Sequence, residues 1–95
     1  MIEVRETVSF SKWLRSLKDR SAQLRIQKRI DRLSYGLFGD AKFFDGIGEL
    51  RVNYGPGYRI YFIKRGKEVV ILLAGGDKST QQNDIERALK MAKEA

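Results

Sequence analysis

The chain has no cysteine and no histidine. The first absence excludes disulfides and thiolate chemistry. The second removes zinc-finger sites, Ser/His and Cys/His triads, and the paired imidazoles of many ribonucleases. Any catalysis must run on Lys, Arg, Tyr, Asp or Glu. A single proline, with no Ser/Gln/Pro-rich tract, argues against a long disordered segment. No apolar stretch approaches the roughly 20 residues of a membrane span. Met1-Ile-Glu-Val-Arg-Glu6 carries charge where a signal peptide needs an apolar run, so a cytoplasmic protein is expected. Acidic residues are outnumbered, 12 against 19 basic, giving a net charge of +7 that favours an anionic partner. The 95 residues suffice for one domain, 1–95, around one core.

Ile2 and Val4 alternate with Glu3 and Arg5, which predicts a short strand with one buried face. Ser9 is placed to cap a helix carrying Phe10, Trp13, Leu14 and Leu17 on one face, and a polar break at Lys18-Asp-Arg-Ser21 leads to another helix. That second helix carries an apolar line, Ile26, Ile30, Leu33 and Leu37. It also carries a basic line, Arg25, Lys28, Arg29 and Arg32, rotated about a third of a turn from the apolar one. The basic line is either a solvated face or a surface for phosphate or an acidic partner. Gly36 to Gly48, with Phe38, Phe43 and Phe44, reads as an irregular connection pinned by aromatic rings. Three strands follow, about 48–54, 58–64 and 68–75. The last is continuously apolar at Val69-Val-Ile-Leu-Leu-Ala74, so it is expected to be covered on both faces. Ser79 and Gln82 fit a capping box for a C-terminal helix with Ile85, Ala88, Leu89 and Ala92 on one face.

Glu49-Leu-Arg-Val-Asn-Tyr-Gly-Pro-Gly-Tyr-Arg-Ile-Tyr-Phe62 alternates on both sides of Gly-Pro-Gly. A three-residue loop, Gly55 to Gly57, keeps Leu50, Val52, Tyr54, Tyr58, Ile60 and Phe62 on one face. Glu49, Arg51, Asn53, Arg59 and Tyr61 then share the other, with Arg59 expected opposite Asn53 and Arg51 opposite Tyr61. Each arginine alone is explained by pairing with Glu49 or another carboxylate, with Tyr61 covering the stems. Together, two guanidiniums, an amide and a phenol offer bidentate donors to phosphate and a ring to stack on a base. Gly75-Gly-Asp-Lys-Ser-Thr80 lacks the spacing of a nucleotide-binding P-loop, though its amides and Lys78 can meet an anion at the helix start. Asp40, Asp45, Glu49 and Asp77 have no common spacing and are assigned to solvent, turns and ion pairs; no metal or cofactor is expected.

The phrases Gly48-Glu-Leu-Arg51, Gly55-Pro-Gly-Tyr-Arg-Ile-Tyr-Phe62, Leu72-Leu-Ala-Gly-Gly-Asp-Lys-Ser-Thr-Gln81 and Asp84-Ile-Glu-Arg-Ala88, in this order, resemble the RelE/ParE toxin superfamily. The nearest branch is that of HigB-like addiction-module killers, also described as phage Gp49-like. The resemblance implies an α+β fold: a mainly antiparallel sheet, built from a short N-terminal strand and a three-strand meander, with two N-terminal helices on one face and a C-terminal helix. It implies a type II toxin that cuts messenger RNA on the ribosome without metal, the ribose 2′-hydroxyl attacking the adjacent phosphate. Its partners would be a cognate antitoxin, small and either helix-turn-helix or acidic, together with ribosome and mRNA. Operator DNA would be met only through the antitoxin complex, and no membrane is implied. Arg51, Arg59, Lys78 and Tyr61 are the expected catalytic residues, and Asn53, Arg25, Lys28, Arg29 and Arg32 the expected RNA-binding ones. Two departures stand out: Ile85 occupies the place of a C-terminal tyrosine of some relatives, and Asn53 stands near where some carry lysine. Tyr61, Lys78 and Lys42 are the candidates to replace the missing acid or base. The alternatives are a ParE-like gyrase inhibitor without nuclease activity, and an inactive toxin-like module that acts with its antitoxin in repression.

Overall fold

The computed structural model describes residues 1–95. A first strand, β1 (Glu3–Glu6), is followed by helices α1 (Val8–Ser16) and α2 (Arg20–Leu33). Strands β2 (Ala41–Phe44), β3 (Ile47–Val52), β4 (Tyr58–Arg65) and β5 (Val69–Asp77) come next. A single 3-10 turn, Lys78–Thr80, then leads into α3 (Gln81–Glu94). The sheet runs β1-β5-β4-β3-β2, with β1 parallel to β5 and every other pair antiparallel.

Polar side chains fix the helix starts. Thr7, rather than Ser9, caps α1: its hydroxyl oxygen accepts from the Phe10 amide at 3.1 Å, and the hydroxyl donates to the Leu73 carbonyl at 2.7 Å. One side chain thereby closes the helix end and ties it to the sheet. Asp19 caps α2 by accepting from the Ala22 amide. Ile26, Ile30 and Leu33 are buried as expected, but the helix stops at Leu33 and Gly36 turns the chain with φ +78°, leaving Leu37 exposed.

The sheet has a core on each face. Phe10, Ile26, Ile30 and Leu33 of α1 and α2 pack on Leu50, Val52, Tyr58, Ile60, Phe62, Val70 and Leu72. On the other side Ala88, with Ile85 and Leu89 of α3, covers Ile47, Tyr61, Ile63 and Leu73. Strand β5 is therefore covered on both faces, which is why its sequence is continuously apolar.

Two strand features differ from the sequence expectation. The connection 36–48 contains β2, which pairs with β3 through a tight turn whose central residues, Asp45 and Gly46, both have positive φ, 50° and 85°. Asp-Gly between apolar runs is a hairpin signal, and it makes the meander four-stranded. Between β3 and β4 the pairs are Val52 with Tyr58, Arg51 with Arg59 and Glu49 with Tyr61. The loop is thus five residues, 53–57, not three. Tyr54 and Gly57 close it through backbone bonds of their amides to Val52 and Tyr54 carbonyls, and Gly55 and Gly57 take positive φ. Because the slip is two residues, each strand side chain keeps its expected face while its partner changes.

Candidate functional site

The corrected register sets Arg51 directly opposite Arg59, on the face that α3 only partly covers. Like charges in this position repel unless anions lie close. Each arginine has one carboxylate nearby. Arg51 Nη2 meets Asp40 Oδ1 at 2.8 Å, and Arg59 Nε lies 3.9 Å from Glu49 Oε2. Arg59 also donates from Nη1 to the Gly57 carbonyl at 3.1 Å. The Nε atoms of both arginines are buried with no hydrogen-bond acceptor. Buried donors are seldom left so, which sets this pair apart from the other arginines of the chain.

Glu49 is the anchor beneath. Only 3% exposed, its carboxylate accepts from the Tyr61 hydroxyl at 3.0 Å and from Gln81 Nε2 at 2.9 Å, linking β3, β4 and the first turn of α3. Burial, followed by the charge and hydrogen bond of Glu49, raises the Tyr61 pKa far above the ordinary phenol value. Tyr61 is fully buried, so the expected role of stacking on a nucleotide is not open to it. It serves the site from below, by holding Glu49.

A cavity of about 380 Å³ at the β3–β4 loop is lined by Asn53, Tyr54, Gly55, Pro56, Gly57, Arg59 and Lys78. Three of the expected residues, Asn53, Arg59 and Lys78, therefore converge. Lys78 is exposed and opens the 3-10 turn, which Asp77 caps: Asp77 Oδ1 accepts from the Ser79 amide and Thr80 Oγ1 from the Asp77 amide. The capping box thus lies two residues before the expected Ser79–Gln82 pair. The Ser79 hydroxyl holds the Asp77 carboxyl below its usual value.

The basic line of α2 divides. Arg25, Lys28 and Arg32 are exposed around a groove of about 730 Å³ between α2 and the end of β3, with Asn53 and Tyr54 in its wall. Arg25 places its guanidinium 4.4 Å from the centre of the Tyr54 ring. The groove and the loop cavity share Asn53 and Tyr54, so a basic surface continues over the loop from α2 to Arg59 and Lys78. Arg29 behaves differently from its neighbours. It donates from Nη1 to the Arg51 carbonyl at 2.6 Å and from Nη2 to the Phe38 carbonyl at 3.1 Å. Burial lowers its pKa, the Asp40 charge opposing and that of Arg32 assisting. Its expected RNA contact gives way to a structural one, clamping the 38–40 segment against β3.

Sequence reasoning passed over Asp40, Glu49 and Gln81 as site residues. Glu49 carried a signal, a carboxylate between apolar neighbours in a strand, but nothing in the sequence indicated Gln81 beside it.

Residues 12–94 match the family described as phage-derived protein Gp49-like (DUF891). The chain belongs to that family. An uncharacterised protein of Haemophilus influenzae is 48% identical to this Gp49-like chain over 94 residues, covering 98% of it and 95% of the relative. Among solved structures, the free state of an arginine-to-alanine double mutant of the Escherichia coli toxin RelE superposes with a TM-score of 0.78 at 15% identity, over 95% of this chain and 96% of that one. The Gp49-like chain thus has the same fold as RelE.

Proposed function

We propose that this Gp49-like protein is the toxin of a type II toxin–antitoxin pair and cuts messenger RNA on the ribosome. The observation that carries the reading is the opposed Arg51–Arg59 pair, with two unpartnered Nε donors, of which Arg59 lines a cavity together with Lys78. In the reaction the 2′-hydroxyl gives up its proton to water as its oxygen bonds to phosphorus, and the bond to the 5′-oxygen breaks, leaving a cyclic phosphate and, once that oxygen is protonated, a 5′-hydroxyl. Negative charge grows on the equatorial oxygens, and guanidiniums are worth most there, where water is partly excluded. Lys78 contributes charge to the same cavity and is the exposed group beside it to give the departing 5′-oxygen a proton. Asn53, Tyr54 and the α2 residues Arg25, Lys28 and Arg32 extend a basic path for the strand, or for ribosomal RNA, away from the scissile phosphate. An antitoxin partner, covering this basic face, follows from the same reading.

The test is in vitro translation with message cleavage mapped at nucleotide resolution. The protein should give cuts positioned by codon, and Arg59→Ala, checked to be folded, should lose them by about 100-fold or more. Unchanged cutting by that variant removes Arg59 from the mechanism. Inhibition of gyrase supercoiling with no cut message replaces the nuclease reading by the ParE-like one.

A further inference from the structure

Each arginine of the opposed pair has an internal carboxylate, but the two carboxylates are held very differently. Glu49 is almost fully buried and locked by Tyr61 and Gln81. The Asp40 side chain is 41% exposed and touches Arg51 through a single nitrogen, Nη2, while Arg51 Nε has no acceptor. A one-point contact does not fix the plane of a guanidinium, as a two-point contact does. Asp40 therefore neutralises Arg51 without orienting it.

The segment that presents Asp40 is built for the purpose. Arg29 bridges the Arg51 and Phe38 carbonyls, and the Arg51 amide donates to the Asp40 carbonyl at 2.9 Å. Gly39 turns between them with φ +65°, and a Cβ there would lie 3.0 Å from the Arg29 guanidinium. Glycine suits this position on both counts. The carboxylate is thus delivered from a pinned backbone, yet its own contact is exposed and weak.

We propose that Asp40 is a displaceable counter-ion that occupies the place of a phosphate group at Arg51 and sets the affinity of the pair for its anion. The proposal rests on the oxyanion reading of the Arg51–Arg59 pair given above. In the free protein Asp40 relieves the repulsion between the two arginines. A phosphate that engages both guanidiniums replaces it, while Glu49 stays in place beneath. The expense of breaking the Asp40 contact is subtracted from every binding event, so the residue tunes the site towards ligands that engage both arginines.

The experiment titrates inorganic phosphate against the wild type, Asp40→Asn, Arg51→Ala and the double variant, following the arginine Nε–H signals by NMR. Asp40→Asn should tighten phosphate binding by about two- to fivefold, the range of an exposed ion pair, and the gain should vanish in the Arg51→Ala background. Asp45→Asn makes the same change of charge at the β2–β3 turn and should give a smaller gain. Unchanged or weaker binding by Asp40→Asn overturns the proposal, as does a gain that survives loss of Arg51, a gain equalled by Asp45→Asn, or no phosphate binding at the pair in any variant. Asp40→Ser, if folded where Asp40→Asn is not, provides the same comparison. Message cleavage by the same proteins is scored separately: a phosphate gain without any cutting leaves the role of Asp40 standing and removes the nuclease reading.

Discussion

Tyr61 and Glu49 show how a residue can matter to a surface it never reaches. The phenol donates a hydrogen bond to a carboxylate that lies under the arginine pair, and both are buried. Tyr61→Phe should cost roughly 1–3 kcal/mol at neutral pH, because Glu49 loses a donor inside the protein. The alkaline behaviour follows from the raised pKa. Above about pH 10 the unfolded chain releases this proton while the folded chain keeps it. The unfolded state then binds fewer protons, so this stabilisation, complete below about pH 10, is lost as pH rises towards the folded value. Urea unfolding from pH 7 to 11 should show a shallower alkaline decline for Tyr61→Phe than for the wild type; equal slopes would place the alkaline loss elsewhere. A second contrast lies within one helix. Arg29→Ala removes two hydrogen bonds to carbonyls and should lower stability by roughly 1–3 kcal/mol, measurable in the same unfolding experiment.

Among the elements, β5 depends on glycine for its packing. A Cβ on Gly75 would lie 2.2 Å from Trp13 Cε3 of α1, and one on Gly76 would overlap the Asp84 carboxylate of α3. The two glycines therefore let a ring and a carboxylate approach the sheet from opposite sides. Gly75→Ala should destabilise by about 1–3 kcal/mol, and adding Trp13→Leu should recover part of the loss in a double-mutant cycle by thermal unfolding. Strict additivity would show that the ring does not set the requirement for glycine. Elements also show why the sequence was readable only in part. Alternation in Glu49–Phe62 assigned faces correctly because the side-chain period is two, and a slip of two residues preserves it. It could not identify partners, which depend on how the 53–57 loop closes. Strand β2 is four residues with no alternation, so its evidence lay in the Asp45-Gly46 turn rather than in the strand.

For the whole molecule, of net charge +7, α2 and the β3–β4 loop form one continuous basic surface. Binding to single-stranded RNA should weaken with salt, with log K falling by about 0.7 per phosphate contact for each unit of log salt. Replacing Lys28 and Arg32 together by alanine should reduce that slope by about 1.4 while leaving stability within about 0.5 kcal/mol. Fluorescence anisotropy over a salt series measures it, and an unchanged slope would return these residues to a purely solvating role. On the face that α3 covers at Ile47, Tyr61 and Ile63, the arginines keep part of their surface, the Arg51 side chain 30% and that of Arg59 13% exposed.

The α+β arrangement followed from the family resemblance, while composition and periodicity by themselves determined most of the helix faces, the strand faces and a basic character without histidine or cysteine. These are local properties, set by how often apolar and charged side chains recur along the chain. Which arginine meets which, that Tyr61 is buried, that Arg29 serves the backbone, and that Asp40 and Gln81 stand beside the pair were decided only by tertiary structure. Each depends on groups from distant segments sharing one desolvated place, and the free energy of that sharing has no counterpart in local sequence pattern.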